Sequence, residues 1–206
     1  MIDHLVLATP EVDATVDWLA GHVGLRPAAG GRHPTLGTRN ALLGLGGGAY
    51  LEVIGIDPDA PCAPERRRPF GLDRIDRPRL AAWAAGVDDI DRRVAFARAA
   101  GYDPGPVQPM SRRLPDGGEL HWRLTPPGAD PVEVVPFLIE WAGGARHPST
   151  TAPAGCRLVS FTAGHPAPDA VAATLVALTL SMTVSVADAP QLVAVVEGPG
   201  GTVELR

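Results

Sequence analysis

Cysteine is scarce in this 206-residue chain: only Cys62 and Cys156 occur, far apart and outside any CxxC or Cys/His spacing. That excludes a disulfide framework and a cysteine-based structural zinc site, and it points to free thiols in a reducing compartment. Positive charge is in short supply too. With 18 Lys and Arg against 23 Asp and Glu, the net charge is −5 and the pI near 5.6, which argues against nucleic acid as a partner. The dense basic run Arg66-Arg67-Arg68 sits among prolines and reads as a solvated loop. Long apolar runs are missing. Val171 to Val186 is diluted by Thr and Ser and falls short of the ~20 residues of a bilayer span, so no membrane partner is expected. Met1 leads straight into the alternating Ile2-Asp3-His4-Leu5-Val6-Leu7, without a basic region and an apolar stretch, so the expected location is the cytoplasm. Gly46-Gly47-Gly48 has no following helix or Lys and reads as a hairpin turn, not a phosphate loop.

What is present is an ordinary globular composition, 45 % apolar and 20 % charged, with an internal repeat. Ile2 to Ala8 alternates as a strand; Val12, Val16, Leu19 and Val23 recur at helical spacing until Gly24. Arg26 to Arg32, Thr38 to Leu45 and Ala49 to Ile56 then read as strands, completing a βαβββ module over residues 1–57. Residues 58–79, rich in Pro, Arg and Asp, read as a linker. A second module follows over 80–141: strand Leu80 to Val87, a helix with Ile90, Val94, Ala97 and Ala100 inward, and strands Val107 to Arg113, Glu119 to Thr125 and Pro131 to Trp141. The turn between the first two of these strands is Pro115-Asp116-Gly117-Gly118. After a loop over 142–155, residues 156–206 repeat the order as strand, helix (Asp169 to Leu180) and three strands. The expected class is α+β: two paired βαβββ modules forming a partly closed curved sheet, plus a third C-terminal βαβββ-like half-module.

The segments Ile2-Asp3-His4-Leu5-Val6, Gly31-Arg32-His33-Pro34 with Gly37-Thr38-Arg39-Asn40, Tyr50-Leu51-Glu52-Val53-Ile54, and Pro136-Phe137-Leu138-Ile139-Glu140-Trp141 with His147-Pro148 resemble the glyoxalase-like domain family of the vicinal-oxygen-chelate superfamily. The resemblance covers residues 1 to about 150 by motif and the remainder by pattern alone. It implies a divalent metal (Zn, Ni, Mn, Fe or Co) on the concave side of the paired modules, held by their first and last strands. Carried over by position, the first module supplies His4 and Glu52. The second supplies Glu140, or Glu133 in another register; Trp83 stands near the place of His4, and His121 completes the set if it faces inward. Strand alternation agrees for the first module, since His4 with Val6, and Tyr50 with Glu52 and Ile54, each share a face.

The activity implied is that of a metal-dependent lyase or isomerase on a small carbonyl or enediol substrate, with Glu140 or Glu52 moving a proton. An extradiol-dioxygenase-like enzyme and a metal-free small-molecule binding or sequestering protein are the other readings. His33, Arg39, Asn40, Tyr50 and Trp83 are the candidate substrate contacts: His33 at the cavity mouth, Arg39 and Asn40 for anion and amide contacts, the aromatics as wall. Trp122 and Trp141 read as further wall or core, while His22, His147 and His165 carry no assigned chemistry. The added third unit suggests a homodimer interface.

Overall fold

The computed structural model describes residues 1–60, 68–113, 118–144 and 146–206; Cys62, Arg66, Arg67 and the 115–117 part of the expected turn lie outside the described residues. The first module runs β1 (Ile2–Ala8), α1 (Val12–Val23), β2 (Ala28–His33), β3 (Thr38–Gly46) and β4 (Ala49–Ile56). The second runs β5 (Arg79–Gly86), α2 (Ile90–Ala99), β6 (Gln108–Arg113), β7 (Glu119–Leu124) and β8 (Phe137–Trp141). Helix α1 buries Val12, Val16, Leu19 and Val23, the stripe read from the sequence, and ends where Gly24 takes a left-handed φ of 73° and returns its N–H to the Ala20 carbonyl. Helix α2 starts at Asp89, whose carboxylate accepts the Arg92 N–H at 3.0 Å.

The eight strands form one curved sheet in the order β2-β3-β4-β1-β5-β8-β7-β6. In each module the first strand lies parallel to the last, and β1 and β5 join the modules antiparallel. The edges β2 and β6 touch, so the sheet curls nearly shut. Alternation then divides the side chains between two cores. Leu5, Leu7, Leu43, Leu51, Val53 and Leu138 face the helices; Val6, Ala8, Ile54, Ala82, Ala84 and Ile139 face the hollow.

The third unit comprises β9 (Arg157–His165), α3 (Pro168–Ala177), β10 (Val184–Val186), β11 (Gln191–Gly198) and β12 (Gly201–Leu205). Its element order repeats the modules, but its strand order does not. The sheet reads β10-β9-β11-β12, with the first strand between the second and third instead of beside the last. One face of this sheet, with Leu192, Ala194, Val196, Val203 and Leu205, joins the helix-side core of the large sheet. Leu80 donates its N–H to the Arg206 carbonyl at 2.7 Å, tying β5 to the chain end. The unit therefore covers the outside of the curved sheet and leaves the hollow to the two modules. Among the described residues no helix is long and apolar enough to cross a membrane.

Candidate functional site

The hollow holds a cavity of about 230 Å³. Most of its polar groups come from the first module. His4, on β1, is 4 % exposed and stacks on Tyr50 of β4, ring centroids 4.7 Å apart. Its Nε2 lies 3.8 Å from the Oε2 of Glu52, two residues on along β4. Asn40 on β3 donates its side-chain amide to Glu52 Oε1 at 2.5 Å, leaving Oε2 to face His4. His33, at the end of β2, borders the same cavity, with Nδ1 3.0 Å from the Thr38 hydroxyl. Burial pushes the His33 imidazole below its ordinary pKa, with the positive charge of Arg112 adding to the effect and Glu52 opposing it. Burial likewise raises the Tyr50 phenol well above the ordinary value, helped by the negative charges of Asp3 and Glu52.

His4 is held from behind by a residue the alternation argument would have sent to the opposite face. The β1–β5 register slips between Ile2 and His4, so Asp3 is the extra residue of a bulge. The bulge turns its carboxylate toward His4, and Gly86 leaves room beside it: a Cβ there would lie 3.2 Å from Asp3 Oδ2. Asp3 Oδ1 lies 2.7 Å from His4 Nδ1, while Oδ2 accepts from Trp141 Nε1 at 2.9 Å and His147 Nε2 at 3.0 Å. Burial by itself would raise the Asp3 pKa, yet the bonds from His147, His4 and Trp141 overcome it and hold the carboxyl far below the usual range. An ionised carboxylate only accepts, so His4 Nδ1 donates, and in the neutral imidazole Nε2 then presents a lone pair to the cavity. His147 reaches Asp3 from the loop after β8, where Ser149 donates its N–H to His147 Nδ1 at 3.2 Å.

The second module contributes mainly apolar wall. Its inward positions are Ala82 and Ala84 on β5, Leu120, Trp122 and Leu124 on β7, and Phe137, Ile139 and Trp141 on β8. One cation joins them, Arg112 of β6, whose Nη1 donates to the Gly30 carbonyl. Five candidates from the sequence lie elsewhere. Glu140 alternates with Ile139 and Trp141 and so points outward, where it pairs with Arg123 at 2.5 Å and accepts the Ile90 N–H of α2 at 3.2 Å. His121 falls between Leu120 and Trp122, 58 % exposed beside Glu119, and does not face His4. Trp83 packs in the helix-side core against Phe161 and donates its indole N–H to Val134. Its backbone stands opposite Leu5; the residue opposite His4 is Ala84. Arg39 takes the face opposite its neighbour Asn40 and clasps Asp13 of α1 with both terminal nitrogens. Glu133, the alternative register, donates its N–H to Ala81 and is not part of the cavity.

His4, Glu52, His33, Asn40 and Tyr50 are thus brought together, whereas Glu140, His121, Trp83 and Arg39 are not. Asp3, Arg112 and His147 were not anticipated. For Arg112 a signal existed, since Gln108, Met110 and Arg112 alternate along one strand. Asp3 and His147 depend on a bulge and a loop, which alternation does not reach.

The divalent metal that the resemblance implies does not fit these side chains. Catalytic sites commonly use three protein ligands. Among the described residues no three His, Cys, Asp or Glu side chains come together as a metal set. His4 and Glu52 stand alone, one oxygen of Glu52 is taken by Asn40, and the buried cation of Arg112 acts on the same carboxylate.

A sequence profile described as the glyoxalase-like domain matches residues 2–179. No curated protein matches the sequence. Among solved structures, a hypothetical protein from Staphylococcus aureus superposes with a TM-score of 0.71 at 10 % identity, over 100 % of this chain and 98 % of that one. Methylmalonyl-CoA epimerase from Mycobacterium tuberculosis gives 0.45 at 22 % identity, covering 68 % of this chain and 87 % of its own. A Streptomyces coelicolor methylmalonyl-CoA epimerase variant in complex with 2-nitronate-propionyl-CoA gives 0.45 at 19 %, covering 71 % and 97 %. The first of these shows that the whole chain, third unit included, is a recurring fold.

Proposed function

The chain belongs to the glyoxalase-like domain family, and from that premise we propose that it is an acid–base enzyme of isomerase or lyase type, acting beside the carbonyl of a small, mostly apolar substrate. The observation that carries the reading is the facing pair His4 Nε2 and Glu52 Oε2, 3.8 Å apart inside the nearly closed sheet and each anchored from behind. Asp3 sets the tautomer of His4, and Asn40 sets the rotamer of Glu52. Glu52 Oε2 takes the proton from the carbon next to the carbonyl. The C–H electron pair becomes the enolate double bond, and the carbonyl electrons move onto oxygen. Passage of that proton from Glu52, through His4 Nε2, to the enolate oxygen gives the enol, an isomerisation with no change in oxidation state that returns both side chains to their starting forms. The chain contains no lysine, so this route does not pass through a Schiff base. The metal-dependent form of the chemistry would need ligands from the second module, where the inward places hold alanine and aromatic or aliphatic side chains.

A second reading, a metal-free binding protein, is favoured by that apolar wall. Incubation in D₂O with a panel of small ketones and oxo acids, followed by proton NMR, separates the two. Enzyme-dependent exchange of C–H next to the carbonyl, lost in Glu52→Gln, supports the catalytic reading. Stoichiometric ligand retention without exchange of any compound overturns it in favour of binding.

A further inference from the structure

The acid–base pair leaves one charge in the cavity unused. Arg112 is only 6 % exposed, and the Gly30 carbonyl is its hydrogen-bond partner. Arginines nearer the surface have found carboxylates: Arg32 has Asp57 and Asp59, Arg39 has Asp13, Arg68 has Asp73, and Arg123 has Asp91 and Glu140. Among the described residues Arg112 is within ion-pair distance of none. Burial pulls its pKa down from the ordinary arginine value, against the opposing influence of Glu52 and Tyr50, so the folded chain holds this cation at a cost. A guanidinium carries five N–H donors in a planar fork, and the contact with Gly30 uses one of its arms. Its natural complement is a planar anion with two acceptor oxygens.

The rest of the cavity limits what that anion is attached to. Its volume of about 230 Å³ lies below the ~300–1,000 Å³ of sites for drug-sized ligands. The cavity that Arg112 borders is lined by apolar side chains, Leu42, Met110, Trp122 and Phe137 among them. A dianion such as a phosphate monoester would want a second free cation, and among the described residues the other arginine at the cavity, Arg68, is held by Asp73 at 2.5 Å. We infer that the substrate is a small oxo acid with an apolar or aromatic body, whose carboxylate pairs with Arg112 while its carbonyl-bearing carbons lie against Glu52 and His4. The placement of the carbonyl rests on the acid–base reading above; the pairing of a carboxylate with Arg112 stands without it.

Calorimetric titration of the whole protein with phenylpyruvate, 3-phenylpropanoate and the neutral ketone phenylacetone tests the pairing. Both acids are expected to bind more tightly than the ketone. Arg112→Met is expected to weaken both acids by about 10- to 100-fold and to leave the ketone unchanged. The variant removes a buried charge in favour of an apolar chain, so its melting temperature should match or exceed that of the wild type. The acid-against-ketone comparison on the wild type needs no variant. Equal binding of ketone and acids, unaltered acid binding by Arg112→Met, or failure of both acids to bind overturns the inference. Arg112-dependent acid binding with no C–H exchange overturns only the acid–base reading, and exchange of ketone and acid alike only this one.

Discussion

The two halves of the large sheet share a strand order, β2-β3-β4-β1 against β6-β7-β8-β5, yet they line the hollow with opposite chemistry. The first half presents His4, Glu52, Asn40 and His33; the second presents Ala82, Ala84, Trp122, Phe137 and Ile139, with Arg112 its one inward charge among the described residues. Their outer faces, by contrast, are alike: each packs aliphatic residues against a helix, Leu5, Leu7 and Leu51 in one half and Leu80, Ala85 and Leu138 in the other. The fold is held from outside, where both halves keep an apolar face. The inside is free to differ because side chains there contribute to a cavity instead of closing a core.

The largest effect that would break this comparison is chemical. Glu52→Gln should lower C–H exchange by about 10²- to 10⁴-fold, as expected for loss of a positioned base. Glu140→Gln, equally acidic in origin but outward, should leave the exchange rate within about twofold while lowering the melting temperature slightly. Similar losses from both substitutions would mean that the second half shares in the chemistry.

Asp3→Asn comes next. It should cost about 1–3 kcal/mol in stability at neutral pH, because His4, His147 and Trp141 all donate to this carboxylate. The folded-state pKa of Asp3 is depressed, so its contribution is fully present above the unfolded value near 4 and fades as pH falls below it. Urea unfolding of wild type and variant from pH 7 down to pH 2 should therefore show the gap narrowing on the acid side. A constant gap would mean that the carboxylate's charge is not what the network stabilises.

A metal experiment sharpens the difference between the halves directly. Wild-type protein should keep its melting temperature in EDTA and take up less than one equivalent of Zn²⁺ or Ni²⁺. Ala84→His places an imidazole opposite His4 on β5 and should convert the pair into a three-ligand set, with a stabilisation by saturating metal of about 3 kcal/mol at a hundred times Kd. Full metal loading of the wild type would refute the two-ligand description.

The smallest effect concerns His33. Its imidazole pKa is lowered in the fold, so below about pH 6.5 the unfolded chain takes up the proton first and stability declines toward acid. His33→Gln should flatten that limb of the stability curve between pH 6.5 and 5 without altering it above pH 7. An unchanged acid limb would place the titration elsewhere.

Much of the fold was legible because its signals are local. The helix stripe of α1, the Gly24 stop, the Gly-rich hairpin before β4 and the alternation of β1 each follow from neighbours in the chain. The candidate site was legible only in the first half, where His4 and Glu52 fall on inward positions of strands whose direction the pattern already implied. Glu140 shows why the second half was not. It sits in an apolar-Glu-apolar strand like Glu52, but the parity that decides inside from outside is set by pairing with β7 and β5, and that pairing makes Ile139 and Trp141 the inward residues. Asp3 adds the converse case, an outward position returned to the site by a bulge.

From the residues alone come the βαβββ repeats and the alternation that aims His4 and Glu52 to one side, since propensity and periodicity act over a few residues. The closure of the sheet decided the rest: which carboxylates meet the hollow, that Asp3 and His147 stand behind His4, and that Arg112 comes to lie beside a glycine carbonyl from the far end of the other module. Those outcomes depend on strand register and on contacts between residues as far apart as Gly30 and Arg112, and no local preference encodes them.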